Sequence, residues 1–144
     1  MDLQAQLMAI AKFAKQKLGQ DKSGHGFDHL SRVVKMARRI ATAMDQDPFV
    51  PVVAAYLHDT IDDKLVDNVD AAKEEVATSL TGLVLPADQV ELIMSIISQM
   101  SFASTLDGNR PALPLAGQIV QDADWLDAIG AIGITRAIYY GGKH

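Results

Sequence analysis

The sequence predicts an all-α helical bundle, and three observations carry that expectation. Apolar residues recur at three- and four-residue spacings through nearly every segment. No stretch shows sustained period-two alternation or a hairpin signal. The 144 residues suit one domain spanning 1–144, and no internal repeat, low-complexity tract or interdomain linker divides them.

Each element has its own signature. Leu3, Leu7, Ile10, Ala14 and Leu18 form the stripe of a first helix, which Gly19 closes. KSGHG is a short loop. From Phe27, the positions Leu30, Val33, Val34, Ala37, Ile40, Ala41 and Met44 make a wide apolar face. Asp47 is a good N-cap for a third helix with Pro48 at its first position, and Val52, Val53, Tyr56 and Leu57 lead from there into His58 and Asp59. Helices are expected over Asp70–Leu80 and about Asp88–Met100. Phe102–Pro114, with its Gly and two prolines, reads as a loop. LAGQIVQDADWLDAIGAIGITRAIYY then reads as one long helix or two short ones, with small residues allowing close packing.

Composition narrows the function. A net charge of −5 offers no basic footprint for nucleic acid and no polybasic surface for anionic lipid. With no cysteine, disulfides, thiolate zinc sites and cysteine nucleophiles are excluded, which fits a reducing cytoplasm. The first 20 residues lack the pattern of a signal peptide, and no apolar run reaches the ~20 residues needed to cross a bilayer. Homodimerisation is left open.

The chemistry-bearing residues are few. Of the four histidines, His144 is terminal, while His25 and His29 share a helical face if the second helix starts early enough, with Arg32 close by. His29 aligns with Val33, Met36 and Ile40, toward the core side. His58 follows the small residues Ala54 and Ala55, which let another helix approach, and Asp59 comes directly after it. Asp124 lies in line with Val120 and Ala128, so apolar neighbours flank a carboxylate that needs a cation or metal ion. No lysine or arginine stands within one turn of it, so its partner must come from elsewhere in the fold. Asp122 and Asp127 fall on other faces, where solvent or a salt bridge is the ordinary expectation.

Two inward histidines, an adjacent aspartate and a distant one make a mixed nitrogen and oxygen ligand set suited to Mn²⁺, Fe²⁺, Co²⁺ or Zn²⁺. A metal there would activate water and polarise a phosphoryl oxygen. Asp62, one turn beyond His58, is placed to take a proton from that water or orient it. Lys64, Arg32, His25 and Lys22 are candidates to meet phosphate charge. Asp63 sits beside Asp62 as a second candidate acid, though its position is equally that of an ordinary loop aspartate.

At these residues the chain resembles the HD superfamily of metal-dependent phosphohydrolases, over about residues 20 to 142. The matching pattern is His29 in GHGFDHLSRV, the doublet His58–Asp59 in LHDTIDDK, and Asp124 in VQDADWLDAIGAIG. The resemblance implies an HD-domain helical bundle with one divalent metal on His29, His58, Asp59 and Asp124. Mn²⁺ is favoured, with Mg²⁺, Co²⁺, Fe²⁺, Ni²⁺ or Zn²⁺ as substitutes. The phrases SGH, HDTIDDK and QDADWLDAIGAIGITRA are similar to the small bacterial nucleotide pyrophosphohydrolase subgroup. That similarity implies cleavage of a nucleoside triphosphate to the monophosphate and pyrophosphate. Resemblance to related HD nucleotidases places Asp62 at an acidic position that handles the attacking water, and Asp67 where some of them have a second acidic residue near the site. A 5′-nucleotidase, a phosphodiesterase or a non-catalytic nucleotide- or metal-binding regulatory domain are the alternatives. Two departures bear on the substrate: Trp125 stands where the subgroup more often has arginine, and related chains continue with further helices beyond YYGGKH.

Overall fold

The computed structural model describes residues 2–18, 27–61, 66–101 and 113–141. Six helices follow one another: α1 (Leu3–Leu18), α2 (Phe27–Ala43), α3 (Phe49–Leu57), α4 (Val69–Gly82), α5 (Ala87–Ser101) and α6 (Leu115–Gly141). A four-residue 3-10 turn, His58–Ile61, continues directly from α3. The described residues contain no strand, as the apolar periodicity predicts.

The short, apolar α3 is the centre of the bundle. Phe49, Val52, Val53, Ala54, Ala55 and Leu57 are all buried, and α1, α2, α5 and α6 pack around it. Ala54 and Ala55 present almost no bulk at full burial, so their neighbours come close to the backbone. Val33, Val34, Ala37 and Ala41 of α2, Ile93, Ile96 and Ile97 of α5, and Ile119, Val120 and Ala123 of α6 complete the core. Burying such side chains, at about 1.5–3 kcal/mol each, is the main force ordering the helices. The last segment is one 27-residue helix rather than two.

Several helix ends differ from the sequence expectation for local reasons. Leu3 is exposed and Gln6 is buried in its stead, because the Gln6 amide donates to the Leu83 carbonyl at 3.0 Å near the end of α4. That carbonyl lies at the C-cap of α4, where helix carbonyls run out of intrahelical donors, so a polar residue there is stabilising. The third helix begins at Phe49, one residue later than Asp47 and Pro48 imply, yet the Asp47 carboxylate still accepts the Phe49 N–H at 2.9 Å. Asn68, not singled out in the sequence, caps α4 by accepting the Ala71 N–H at 3.0 Å. Met44 falls outside α2 and is exposed, because the chain turns at Asp45. Asp45 has φ 59°, and the Gln46 N–H returns to the Ala41 carbonyl at 2.8 Å. Gly19 and the Phe102–Ala112 stretch lie outside the described residues, as do Lys22, His25, Asp62, Asp63 and Lys64.

Val84, after α4, also has a left-handed backbone, with φ 62°. For a β-branched residue this conformation costs about 1–2 kcal/mol. Its side chain is 76% exposed and so contributes little packing in return. Val84→Gly should therefore stabilise the protein by about 0.5–1 kcal/mol, after allowing for the greater unfolded-state freedom of glycine. Urea unfolding of the two proteins side by side measures this, and an unchanged or lower midpoint would contradict it.

Candidate metal centre

Three segments distant in sequence converge at the α2–α3–α6 junction. His29 sits in the first turns of α2, His58 and Asp59 lie where α3 tightens into the 3-10 turn, and Asp124 and Asp127 lie on α6. The tightening has a local cause. Hydroxyl and imidazole side chains can donate to the last carbonyls of a helix, and here one of each does. The His58 Nδ1–H donates to the Ala55 carbonyl at 2.7 Å, and the Thr60 hydroxyl donates to the Leu57 carbonyl at 2.6 Å. With Nδ1 occupied, the His58 ring turns its Nε2 away from α3 toward the carboxylates.

His29, His58 and Asp59 each offer a ligand atom, and these atoms lie within 4.8 Å of one another. Nε2 of His58 is 3.2 Å from Asp59 Oδ1 and 3.6 Å from Asp124 Oδ1. Nε2 of His29 is 3.3 Å from the same Asp124 oxygen and 3.9 Å from Asp59 Oδ2. The two rings stand edge-on, with centroids 6.5 Å apart. Asp124 thus finds partners from α2 and from the 3-10 turn, as its apolar flanks and lack of a cationic neighbour on α6 require. It is partly open, with a third of its side chain exposed, whereas His58 and Asp59 are nearly closed to solvent. Nε2 of His58 is buried and makes no hydrogen bond. A buried ring nitrogen in this condition, aimed at carboxylate oxygens, fits a site for a divalent cation.

The sequence reading left Asp127 to solvent or a salt bridge. It does form a salt bridge, since the Arg32 Nε–H donates to its Oδ1 at 2.7 Å. Its other oxygen, Oδ2, lies 2.7 Å from His29 Nδ1, a contact not foreseen. The available signal was a pair of matched spacings: Arg32 follows His29 by three residues, and Asp127 follows Asp124 by three. Arg32, predicted to meet substrate, is therefore anchored beside the centre through Asp127. Trp125 is 56% exposed, next to Asp124 in sequence but outside the core.

Without a cation, the cluster compensates its own charges. Burial on its own would lower the pKa of His58, but the Asp124 and Asp59 carboxylates outweigh it and push the imidazole up to about 9. His29 is raised chiefly by Asp124, with burial offsetting part of the effect and Asp127 and Asp59 adding to it. Burial favours the neutral form of Asp124, yet His29 and His58 hold its carboxyl well below the usual range. The raised His58 pKa stabilises the folded state fully below its unfolded value near 6.5, and that contribution disappears as pH rises through about 9. The lowered Asp124 pKa acts above about 3.9 and is lost on acidification. In chelator, the melting temperature should fall between pH 6.5 and 9, and His58→Gln should flatten that slope. A slope equal in both proteins would contradict this account.

Similar proteins share both fold and sequence. The HD domain family model matches residues 26–129. The uncharacterized protein YpgQ of Bacillus subtilis (strain 168) is 37% identical over 133 residues, 92% of this chain and 65% of that protein. Among solved structures, a Lactobacillus plantarum protein superposes with a TM-score of 0.80 at 46% identity, over 96% of this chain and 64% of its own. YpgQ of B. subtilis in complex with ADP gives a TM-score of 0.76 at 34% identity, covering 99% of this chain and 69% of that one. An HD-superfamily hydrolase from Bacillus thuringiensis gives 0.75 at 33%, covering 99% and 68%. The chain thus spans slightly less than two thirds of the curated relative and of the L. plantarum protein. With its helices, its paired histidines and its aspartates arranged in this way, the chain belongs to the HD domain family.

Proposed function

We propose that this protein is a metal-dependent phosphohydrolase that converts a nucleoside triphosphate to the monophosphate and pyrophosphate. The observation that carries the proposal is the convergence of His29, His58 and Asp59 within 4.8 Å, with Asp124 against both imidazoles. The ADP present in the structure of YpgQ supports a nucleotide as the ligand class.

In this reading His29, His58, Asp59 and Asp124 hold one divalent ion; two imidazoles and two carboxylates suit Mn²⁺, Fe²⁺, Co²⁺ or Zn²⁺, and the resemblance to the pyrophosphohydrolase subgroup favours Mn²⁺. A bound divalent ion supplies Lewis acidity toward a phosphoryl oxygen and toward water. The chain's own residues do the rest. The Ala55 carbonyl holds the His58 ring so that Nε2 faces the centre. Asp59 and Asp124 supply the negative charge that draws a cation into a half-buried site. Asp62, four residues after His58 in the sequence, takes the proton of the attacking water, and Asp63 is a second candidate acid. His25 and Lys64 meet the phosphate charge. Arg32 joins them through the N–H groups it does not donate to Asp127, since more than half of its side chain is exposed.

Incubating the protein with nucleoside mono-, di- and triphosphates, each with Mn²⁺, Mg²⁺ and Co²⁺, tests the proposal by product analysis. Pyrophosphate released from a triphosphate is the expected result. Inorganic phosphate from a monophosphate would instead indicate a 5′-nucleotidase. Asp124→Ala should lower turnover roughly 100-fold or more, because it removes both a ligand and the charge that balances two histidines. Turnover that survives this substitution would sink the metal-site assignment. Saturating Mn²⁺ at about 100 times its dissociation constant should stabilise the unmodified protein by about 2.7 kcal/mol, and the Asp124→Ala protein should show little of this gain.

A further inference from the structure

We propose that Asp127 is a positioning residue of the metal centre, acting through His29 and held in place by Arg32; this rests on the metal-site reading above. Its support is geometric. A neutral imidazole carries one N–H, so its two nitrogens cannot both donate. In His29, Nδ1 lies 2.7 Å from Asp127 Oδ2, at hydrogen-bond geometry, while Nε2 lies 3.3 Å from Asp124 and 3.9 Å from Asp59. The proton belongs on Nδ1, facing Asp127. That leaves the Nε2 lone pair directed at the cluster where His58 and Asp59 present their own ligand atoms.

Asp127 is itself fixed. Arg32 Nε–H donates to Oδ1 at 2.7 Å, and Nη2 lies 3.4 Å from Oδ2. The guanidinium therefore donates closely to Oδ1 and at longer range to Oδ2, and the imidazole shares Oδ2 with it. Asp127 is also more enclosed than Asp124, at 13% against 33% side-chain exposure. Sequence spacing makes the arrangement possible. His29 and Arg32 are neighbours one turn apart on α2, and Asp124 and Asp127 are neighbours one turn apart on α6. Packing the two helices face to face places an inner pair, His29 with Asp124, beside an outer pair, Arg32 with Asp127.

The two histidines are then oriented by unlike acceptors. His58 donates to a neutral carbonyl, that of Ala55, whereas His29 donates to a carboxylate. A carboxylate acceptor makes an imidazole the stronger ligand, and removing such a partner commonly costs 10–100-fold in metal affinity. Arg32 serves the centre by orienting Asp127.

Calorimetric titration of the metal-stripped full chain with Mn²⁺ tests this, alongside long-range ¹H–¹⁵N NMR of the His29 ring in the Zn²⁺-loaded protein. Asp127→Ala should weaken Mn²⁺ binding about 10–100-fold. Asp127→Asn, which keeps an acceptor oxygen without the charge, should fall between it and the unmodified protein. Arg32→Ala should weaken Mn²⁺ binding less, and combining it with Asp127→Ala should add nothing further, because Arg32 reaches the metal site only through Asp127. In the unmodified protein the NMR pattern should show Nδ1 protonated, and in Asp127→Ala that preference should be lost. If Asp127→Ala does not fold, as judged by circular dichroism, the Asp127→Asn and Arg32→Ala pair provides the same cycle. Variants that bind Mn²⁺ as tightly as the unmodified protein, or effects of Arg32→Ala and Asp127→Ala that add in full, would overturn the positioning role alone. Failure of the unmodified protein to bind Mn²⁺ would overturn the metal-site reading and this role with it.

Discussion

Imidazoles and carboxylates placed together between helices impose a strict condition, since a charge withdrawn from water must be compensated by a neighbour or by a bound ion. Here the condition is met where α2, the α3 terminus and α6 meet. Asp124 lies against both His29 and His58, and Asp59 also lies near both rings. Asp124 has no lysine or arginine within one turn on α6, and the imidazoles it meets come from α2 and from the 3-10 turn. Their mutual requirement therefore ties together three segments that are up to 95 residues apart, and it restricts the angles at which those segments can meet.

The rest of the fold serves that junction. α3 is almost wholly apolar and buried, α2 and α6 both pack on it, and the polar residues of those two helices meet each other directly. The helix then ends in a 3-10 turn, whose side chains satisfy the carbonyls that the α-helix leaves unpaired. The same hydrogen bond that terminates the helix orients His58. Local backbone chemistry and site geometry are thus one event at that residue, which is why a helix end, rather than a helix middle, carries the His-Asp doublet.

Around the inner cluster lies a second layer with a different electrostatic character. Arg32 and Asp127 form a cation–carboxylate pair whose inner edge touches His29. Burial favours the neutral form of Asp127, and Arg32 and His29 together more than offset it, so the carboxylate stays ionised. An always-charged guanidinium suits this place better than an ammonium, because its planar array of donors can reach both carboxylate oxygens at once.

Much of the architecture was legible in the residues themselves. Period and breaker residues marked all six helices, because amphipathic helices must repeat their apolar positions regardless of what they pack against. His29, His58 and Asp124 stood out as polar residues in line with apolar ones, and Asp124 in particular declared the need for a distant partner. Leu3 and Met44 were misleading, since a helical stripe does not show where a helix stops being covered. Asp127 was read only as a solvent or salt-bridge aspartate: its spacing from Asp124 matches that of Arg32 from His29, but only the docking of α6 on α2 gives it those two partners. The sequence by itself determined which segments are helical and which polar side chains must find partners inside, because periodicity and desolvation act on each helix locally. Only the tertiary structure decided which partners those are, because the distances among α2, the end of α3 and α6 are set by packing around Ala54 and Ala55, and no spacing along the chain encodes them.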